Sequence, residues 1–160
     1  LPHTGVASAI DIGDARDIHP KNKQDVGKRL ARWALRDVYG KKDLTVAGPT
    51  FKEMNVVGNT VTISYDHVGR GLMIAKKKDP FQALLATPDA KLASFAISGA
   101  NQKWYWAEAH IEGNTVKLSS AAVAKPIAVR YAYRGNPTDA NLYNKDGLPA
   151  IPFRTDNKNP

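Results

Sequence analysis

Val6-Ala7-Ser8-Ala9-Ile10-Asp11-Ile12, then Asp17-Ile18-His19-Pro20, then the run over residues 22–39 decide how this chain is read. The first stretch is small, apolar and β-compatible, and reads as a strand. In the third, Val26, Leu30, Trp33, Ala34 and Val38 recur at helical intervals and form one apolar stripe, with Lys28, Arg29, Arg32 and Arg36 facing elsewhere. Pro20 suits the helix entry, Asn22 a cap, and Gly40 the position just past the end. Lys41 and Lys42 follow beside the negative end of the helix dipole. The reading is a strand–loop–helix unit. One strand and one helix bury too little surface to offset their ordering entropy, so the unit calls for a sheet that this sequence does not contain.

From about Thr45 the period changes from helical to alternating. Residues 51–57, Gly58-Asn59 and residues 60–65 predict a hairpin with Val61, Ile63 and Tyr65 on one face. A short strand is expected over 72–75. A second hairpin is expected from 92–98 and 103–111, joined by Gly99-Ala100-Asn101-Gln102. Gly113-Asn114 turns into a strand over 116–119, and a last strand over 127–133 alternates Ile127, Val129, Tyr131 and Tyr133. Short strands with repeated Gly-Asn turns indicate a β-sandwich or jelly-roll-like layer. The expected division is an α/β piece over 1–44, an all-β sandwich over 45–134, and an extended tail over 135–160. Leu142, Tyr143, Leu148, Ile151 and Phe153 would pin that tail to the rest.

Composition bounds what such a chain does. The 160 residues are 42% hydrophobic and 24% charged, which is ordinary globular usage, and no cysteine is present. Disulfides, thiol catalysis and Cys-based zinc sites are thereby excluded. The net charge of +8 raises the question of polyanions. The lysines and arginines are dispersed, however, and Lys76-Lys77-Lys78 reads as a solvated turn, so nucleic acid is not the expected partner. No apolar run is long enough to span a bilayer. The opening residues lack the basic and apolar regions of a signal peptide and read like the inside of a longer chain.

The candidate chemistry centres on His19. A loop leaving the carboxyl end of a strand is where reacting groups gather in α/β folds. A histidine there acts as general base for a hydroxyl nucleophile, and a carboxylate on its other ring nitrogen fixes the tautomer. Asp17 is the nearest carboxylate, with Asp11 and Asp14 as rivals. The bland alternative makes His19 a surface histidine before proline and Asp17 a turn or cap residue. His67 reads as a turn residue, His110 as a partly exposed strand residue and His3 as frayed. The four histidines show no metal-ligand spacing. Gly69-Arg70-Gly71 is too short to cradle a phosphate. Trp104 and Trp106 alternate to one face of a strand, with Tyr105 on the other. They read as core, with stacking on sugar rings as the alternative, which would make the chain a non-catalytic β-sandwich carbohydrate-binding or interaction module.

Several of these segments together resemble the sialate O-acetylesterases, carbohydrate esterases of the SGNH-hydrolase type. They are Ile10-Asp11-Ile12-Gly13-Asp14, Asp17 to Gln24 as DIHPKNKQ, Gly27-Lys28-Arg29-Leu30-Ala31, Asp66-His67-Val68-Gly69, Phe95 to Ala100 as FAISGA, Val129 to Tyr133 as VRYAY, Asn141-Leu142-Tyr143-Asn144 and Pro152 to Asp156 as PFRTD. The resemblance covers nearly the whole chain and implies the C-terminal portion of such an enzyme. Residues 1–44 would be the last strand and helix of a flavodoxin-like esterase domain. The serine nucleophile, in a Gly-Gln-Ser motif absent here, would lie upstream. His19 then matches the family's catalytic histidine and Asp17 its support. The wider class carries its acid three positions before the histidine, where this chain has Arg16, so a Ser-His dyad is the variant. The resemblance further implies an O-acetylated sugar substrate, no metal or organic cofactor, a secreted or periplasmic location, and no activity for this chain alone.

Overall fold

The computed structural model describes residues 4–156. Within them the chain forms α1 (Lys23–Asp37), β1 (Thr50–Val57), β2 (Thr60–Asp66), β3 (Leu72–Lys76), β4 (Leu85–Ala86), β5 (Phe95–Ser98), β6 (Trp104–Trp106), β7 (Glu108–Glu112), β8 (Thr115–Ser119), β9 (Ala128–Tyr131), β10 (Leu142–Asn144) and β11 (Phe153–Arg154). The strands make two four-stranded sheets, ordered β1-β2-β8-β7 and β11-β9-β5-β6, and a three-stranded sheet ordered β10-β3-β4. All of the pairings between these strands are antiparallel.

One hydrophobic core joins the sheets. Val61, Ile63, Val116 and Leu118 on one inner face meet Phe95, Ile97, Val129, Tyr131 and Phe153 on the other, and each is at most 9% exposed. This is the sandwich that alternation predicts. Gly58, at φ +62°, supplies the left-handed backbone that the β1–β2 turn requires. Gly48 is needed for a different reason: a Cβ there would lie 1.8 Å from the carbonyl oxygen of Pro149.

Several expectations are corrected. The predicted strand over 103–111 is two strands. Ala107 still donates to the Phe95 carbonyl (3.0 Å), but the next residues pair with β8 in the opposite sheet. The expected last strand over 127–133 ends at Tyr131, because Ala132 takes positive φ (50°) and throws Tyr133 outward. Two strands follow it. The stretch from residue 135 supplies β10 and β11, and Leu142 and Tyr143 are almost wholly buried. These strands are too short for alternation to announce them. Lys77 is not a solvated lysine: its side chain is 10% exposed and its ammonium donates to Asp25 (2.8 Å) and the Gln82 carbonyl (3.0 Å).

The N-terminal unit departs furthest from expectation. Residues 6–12 form no strand within this chain. Their carbonyls are taken instead by side chains of α1: Trp33 Nε1 donates to the Val6 carbonyl (3.0 Å) and Arg29 Nη1 to that of Ser8 (2.6 Å), while Ile12 N closes a turn onto Ala9 (3.1 Å). The helix does begin as read, with Asn22 Oδ1 accepting from Asp25 N (2.9 Å), and Gly40 follows its end at φ +72°. Arg29, assigned to the solvated side, is the buried residue of the helix. Leu30 is 50% exposed, Val38 is 75% exposed, and Gly27, Ala31 and Ala34 beside them are exposed too. Leu30, Ala34 and Val38 of the apolar stripe therefore face outward while Val26 and Trp33 are half-buried, and polar groups make most of the bonds that hold the helix to this chain. Arg29 and Asp11 bond bidentately (2.7 and 2.8 Å), Arg32 donates to the Thr45 carbonyl (2.8 Å), and Asn22 donates to the Pro80 carbonyl (2.6 Å).

Candidate active site

The turn over residues 14–19 is built by its own aspartates. Asp14 Oδ1 accepts from Arg16 N (3.0 Å), and Asp17 Oδ1 accepts from His19 N (2.9 Å). That second bond bends the chain so that the imidazole folds back onto the same carboxylate oxygen. His19 Nδ1 lies 2.9 Å from Asp17 Oδ1. A carboxylate only accepts, so Nδ1 carries the proton, and in the neutral ring the lone pair is then on Nε2. The bonds from His19 N and then from its ring hold the Asp17 carboxyl below the ordinary carboxylate value. The i to i+2 spacing thus brings together the two residues that the sequence singled out. Its rivals are elsewhere: Asp11 is sealed against Arg29, and Asp14 faces Arg16 N and, at 3.6 Å, Lys21 Nζ.

The pair is open to its surroundings, the His19 side chain being 75% exposed. Asp17 and Ile18 line a cleft of about 1140 Å³, and His19, which is not itself part of that lining, is joined to it through Asp17. Across the cleft are Lys76 to Pro80 and Tyr133 to Thr138. The wall at Lys76–Pro80 is fixed to the helix entry by the Lys77–Asp25 ion pair and the Asn22–Pro80 bond. The turn bearing His19 is thus followed by a segment held through long-range polar contacts, and preceded by Asp11, which is held by Arg29.

The remaining candidates fall outside this site. His67 sits at φ +57° just past β2, with its carbonyl bonded by Asn144 Nδ2 (2.9 Å) and its ring edge-on to Trp33. His110 is an exposed residue of β7, and His3 lies outside the described residues. Among the described residues no group of three or more His, Asp or Glu side chains gathers as a metal site. No described helix is long and apolar enough to cross a membrane. Trp104 and Trp106, read as core, stand on the outer face of their sheet: Trp106 is 63% exposed, and Trp104 is covered by the Arg130 guanidinium, 4.0 Å from its ring centroid. Sequence reasoning also missed Tyr133 and Arg134, which line the cleft. The only signal for them is that Arg130 alternates against the buried Val129 and Tyr131.

The chain is 30% identical over 169 aligned residues to the sialate O-acetylesterase of Mus musculus, covering 96% of this chain and 28% of that protein. With the sialate O-acetylesterase of Homo sapiens it shares 28% identity over 168 residues. The chain belongs to the sialate O-acetylesterase family. Its fold agrees with part of the crystal structure of a carbohydrate acetylesterase from Xanthomonas citri, at 41% identity and a TM-score of 0.80, over 93% of this chain and 32% of that one. No family model matches. The chain thus spans under a third of the length of these relatives. Some of the family-like segments are structural here. Asn144, wholly buried, donates to the carbonyls of Ala47 (3.0 Å) and His67 (2.9 Å) and accepts from Leu148 N (3.0 Å), so it ties β10 to two distant loops.

Proposed function

We propose that this chain is the C-terminal portion of a carbohydrate O-acetylesterase that removes O-acetyl groups from sialic acid, with acetylated polysaccharide as the second choice of substrate. The observation that carries the reading is the Asp17–His19 pair, 2.9 Å apart beside a cleft, in a chain of this family. In this reading a serine on a segment outside the chain attacks the acetyl carbonyl. His19 Nε2 takes the hydroxyl proton and returns it to the departing sugar oxygen. Water then clears the acetyl-enzyme by the same route. Asp17 holds the imidazole by Nδ1 and stabilises its protonated form. No metal or organic cofactor enters.

The outward apolar stripe of α1 supports the companion that this requires. Leu30 and Val38 with Gly27, Ala31 and Ala34 form a helical face of the kind that packs on a sheet. In a flavodoxin-like SGNH domain, residues 6–12 would be the edge of that sheet and α1 the helix covering it. Residues 6–12 would then gain the strand partners that they lack within this chain. A secreted or periplasmic location belongs to the same reading.

The test is acetate release from O-acetylated sialic acid by a polypeptide that joins this chain to the segment bearing the serine. His19→Ala should cost about 10²–10⁴-fold in kcat. Asp17→Asn should lower kcat with little change in KM, and the chain by itself should release none. Full activity of the His19→Ala form would overturn the assignment.

A further inference from the structure

The outer face of the β11-β9-β5-β6 sheet carries a stack of rings and guanidinium groups that the hydrolytic reading does not use. Arg130 lies over Trp104 and, at 5.4 Å, over Tyr133. Arg154 lies 5.2 Å from the Tyr133 centroid, and Arg134 lies 5.4 Å from that of Trp106. Carboxylates pin the cations in place. Asp156 accepts from Arg130 Nε (3.1 Å) and Arg154 Nη2 (3.0 Å), and Asp139 accepts from Arg134. Arg154 Nη1 also donates to the Tyr133 hydroxyl (3.2 Å).

Such a stack stabilises the fold, but that does not explain its shape. A purely structural stack covers its rings, as Arg130 covers Trp104. Trp106 is 63% exposed and Tyr133 is 50% exposed, and they stand beside a groove of about 260 Å³. Exposed rings that rest against ion-paired guanidinium groups keep less rotamer freedom, so a ligand that lands on them bears less of that cost. Flat aromatic faces suit the C–H faces of pyranose rings. Guanidinium edges suit carboxylate oxygens. Three arginines stand here against Asp139 and Asp156, on a protein of net charge +8. The groove adjoins the larger cleft, since Tyr133 and Arg134 line both.

We propose that this face is a glycan subsite that stacks carboxylate-bearing pyranose sugars on Trp106 and Tyr133, with Arg134 bonding the carboxylate. That the bound chain leads an acetylated sugar toward His19 rests on the hydrolytic reading above; the binding itself does not.

The test is a titration of the 160-residue chain with a galacturonic acid hexamer, a cellohexaose and a single-stranded DNA dodecamer, with affinities of all forms read by calorimetry and the site located by NMR on the Trp106 indole N–H of the unsubstituted chain. The acidic hexamer should shift that resonance saturably, and more weakly as salt rises. Trp106→Ala should weaken binding about tenfold or more, Trp106→Phe should restore most of it, and Arg134→Ala should flatten the salt dependence. An unchanged melting temperature in each variant confirms the fold. Absence of a shift, equal binding by Trp106→Ala, equal affinity for cellohexaose, or tighter binding of DNA on this face would each overturn the proposal. The assay needs no nucleophile, so inactivity toward esters and failure to bind glycan are separable results.

Discussion

Replacing Arg29 with alanine tests how much the buried Arg29–Asp11 ion pair contributes to holding α1 on this chain. The guanidinium makes three bonds, two to the Asp11 carboxylate and one to the Ser8 carbonyl, at 2.6–2.8 Å. The two side chains are 7% and 4% exposed. The substitution leaves the carboxylate buried without its cation, a defect that costs about 3–5 kcal/mol. In a domain of this size each kcal/mol shifts the melting temperature by about 2–4 °C, so a fall of roughly 6–20 °C is expected. Urea and thermal unfolding followed by circular dichroism measure it. Arg36→Ala is the control, because Arg36 pairs with its own neighbour Asp37 near the surface and should cost no more than about 1 kcal/mol. Combining Asp11→Leu with Arg29→Met removes both charges and should recover most of the loss. A cost below about 1 kcal/mol for Arg29→Ala, or a double variant no better than the single one, would refute the reasoning.

Tyr65→Phe should raise stability by about 1 kcal/mol in the same assay, because the buried Tyr65 hydroxyl has no hydrogen-bond partner among the described residues. Gly48→Ala should lower it by about 1–3 kcal/mol, since the new methyl meets the Pro149 backbone rather than a side chain that can move. Acid should unfold the protein in a defined window. Lys77 bonded to Asp25, and Arg130 bonded to Asp156, hold both carboxyls below the usual value of 3.8. Such depressed groups stabilise the fold fully above that value and lose the contribution as pH falls through their folded values. The melting temperature should therefore stay level down to about pH 5 and fall steeply below about pH 4. Asp156→Asn should shrink that acid-sensitive portion.

The parts of the structure legible in the sequence are those specified by neighbours along the chain. The β1–β2 hairpin follows from strict alternation and a Gly-Asn turn, and the helix start from an asparagine three residues before its bonded amide. The Asp17–His19 contact is of the same kind, since an aspartate that accepts from the backbone two residues on brings its neighbour's ring along. What could not be read depends on distant partners. Arg29 looks solvated because its carboxylate lies 18 residues away, on a stretch whose own hydrogen bonding was read as a ladder. Lys77 looks solvated because Asp25 lies 52 residues away. Helical periodicity marks an apolar stripe without saying what covers it, and in this chain the polar side makes the contacts. Trp104 and Trp106 read as core in the sequence because alternation assigns residues to faces and does not say which face is the inner one.

The break at Ala107 has a consequence for how the molecule comes apart. β6 and β7 are nearly one continuous length of chain, yet they lie in opposite sheets. Neither layer can peel away without dragging the other's edge with it. Amide protons of the two layers should therefore exchange with solvent as a single cooperative unit, and the ring-bearing surface borrows the rigidity of the layer behind it.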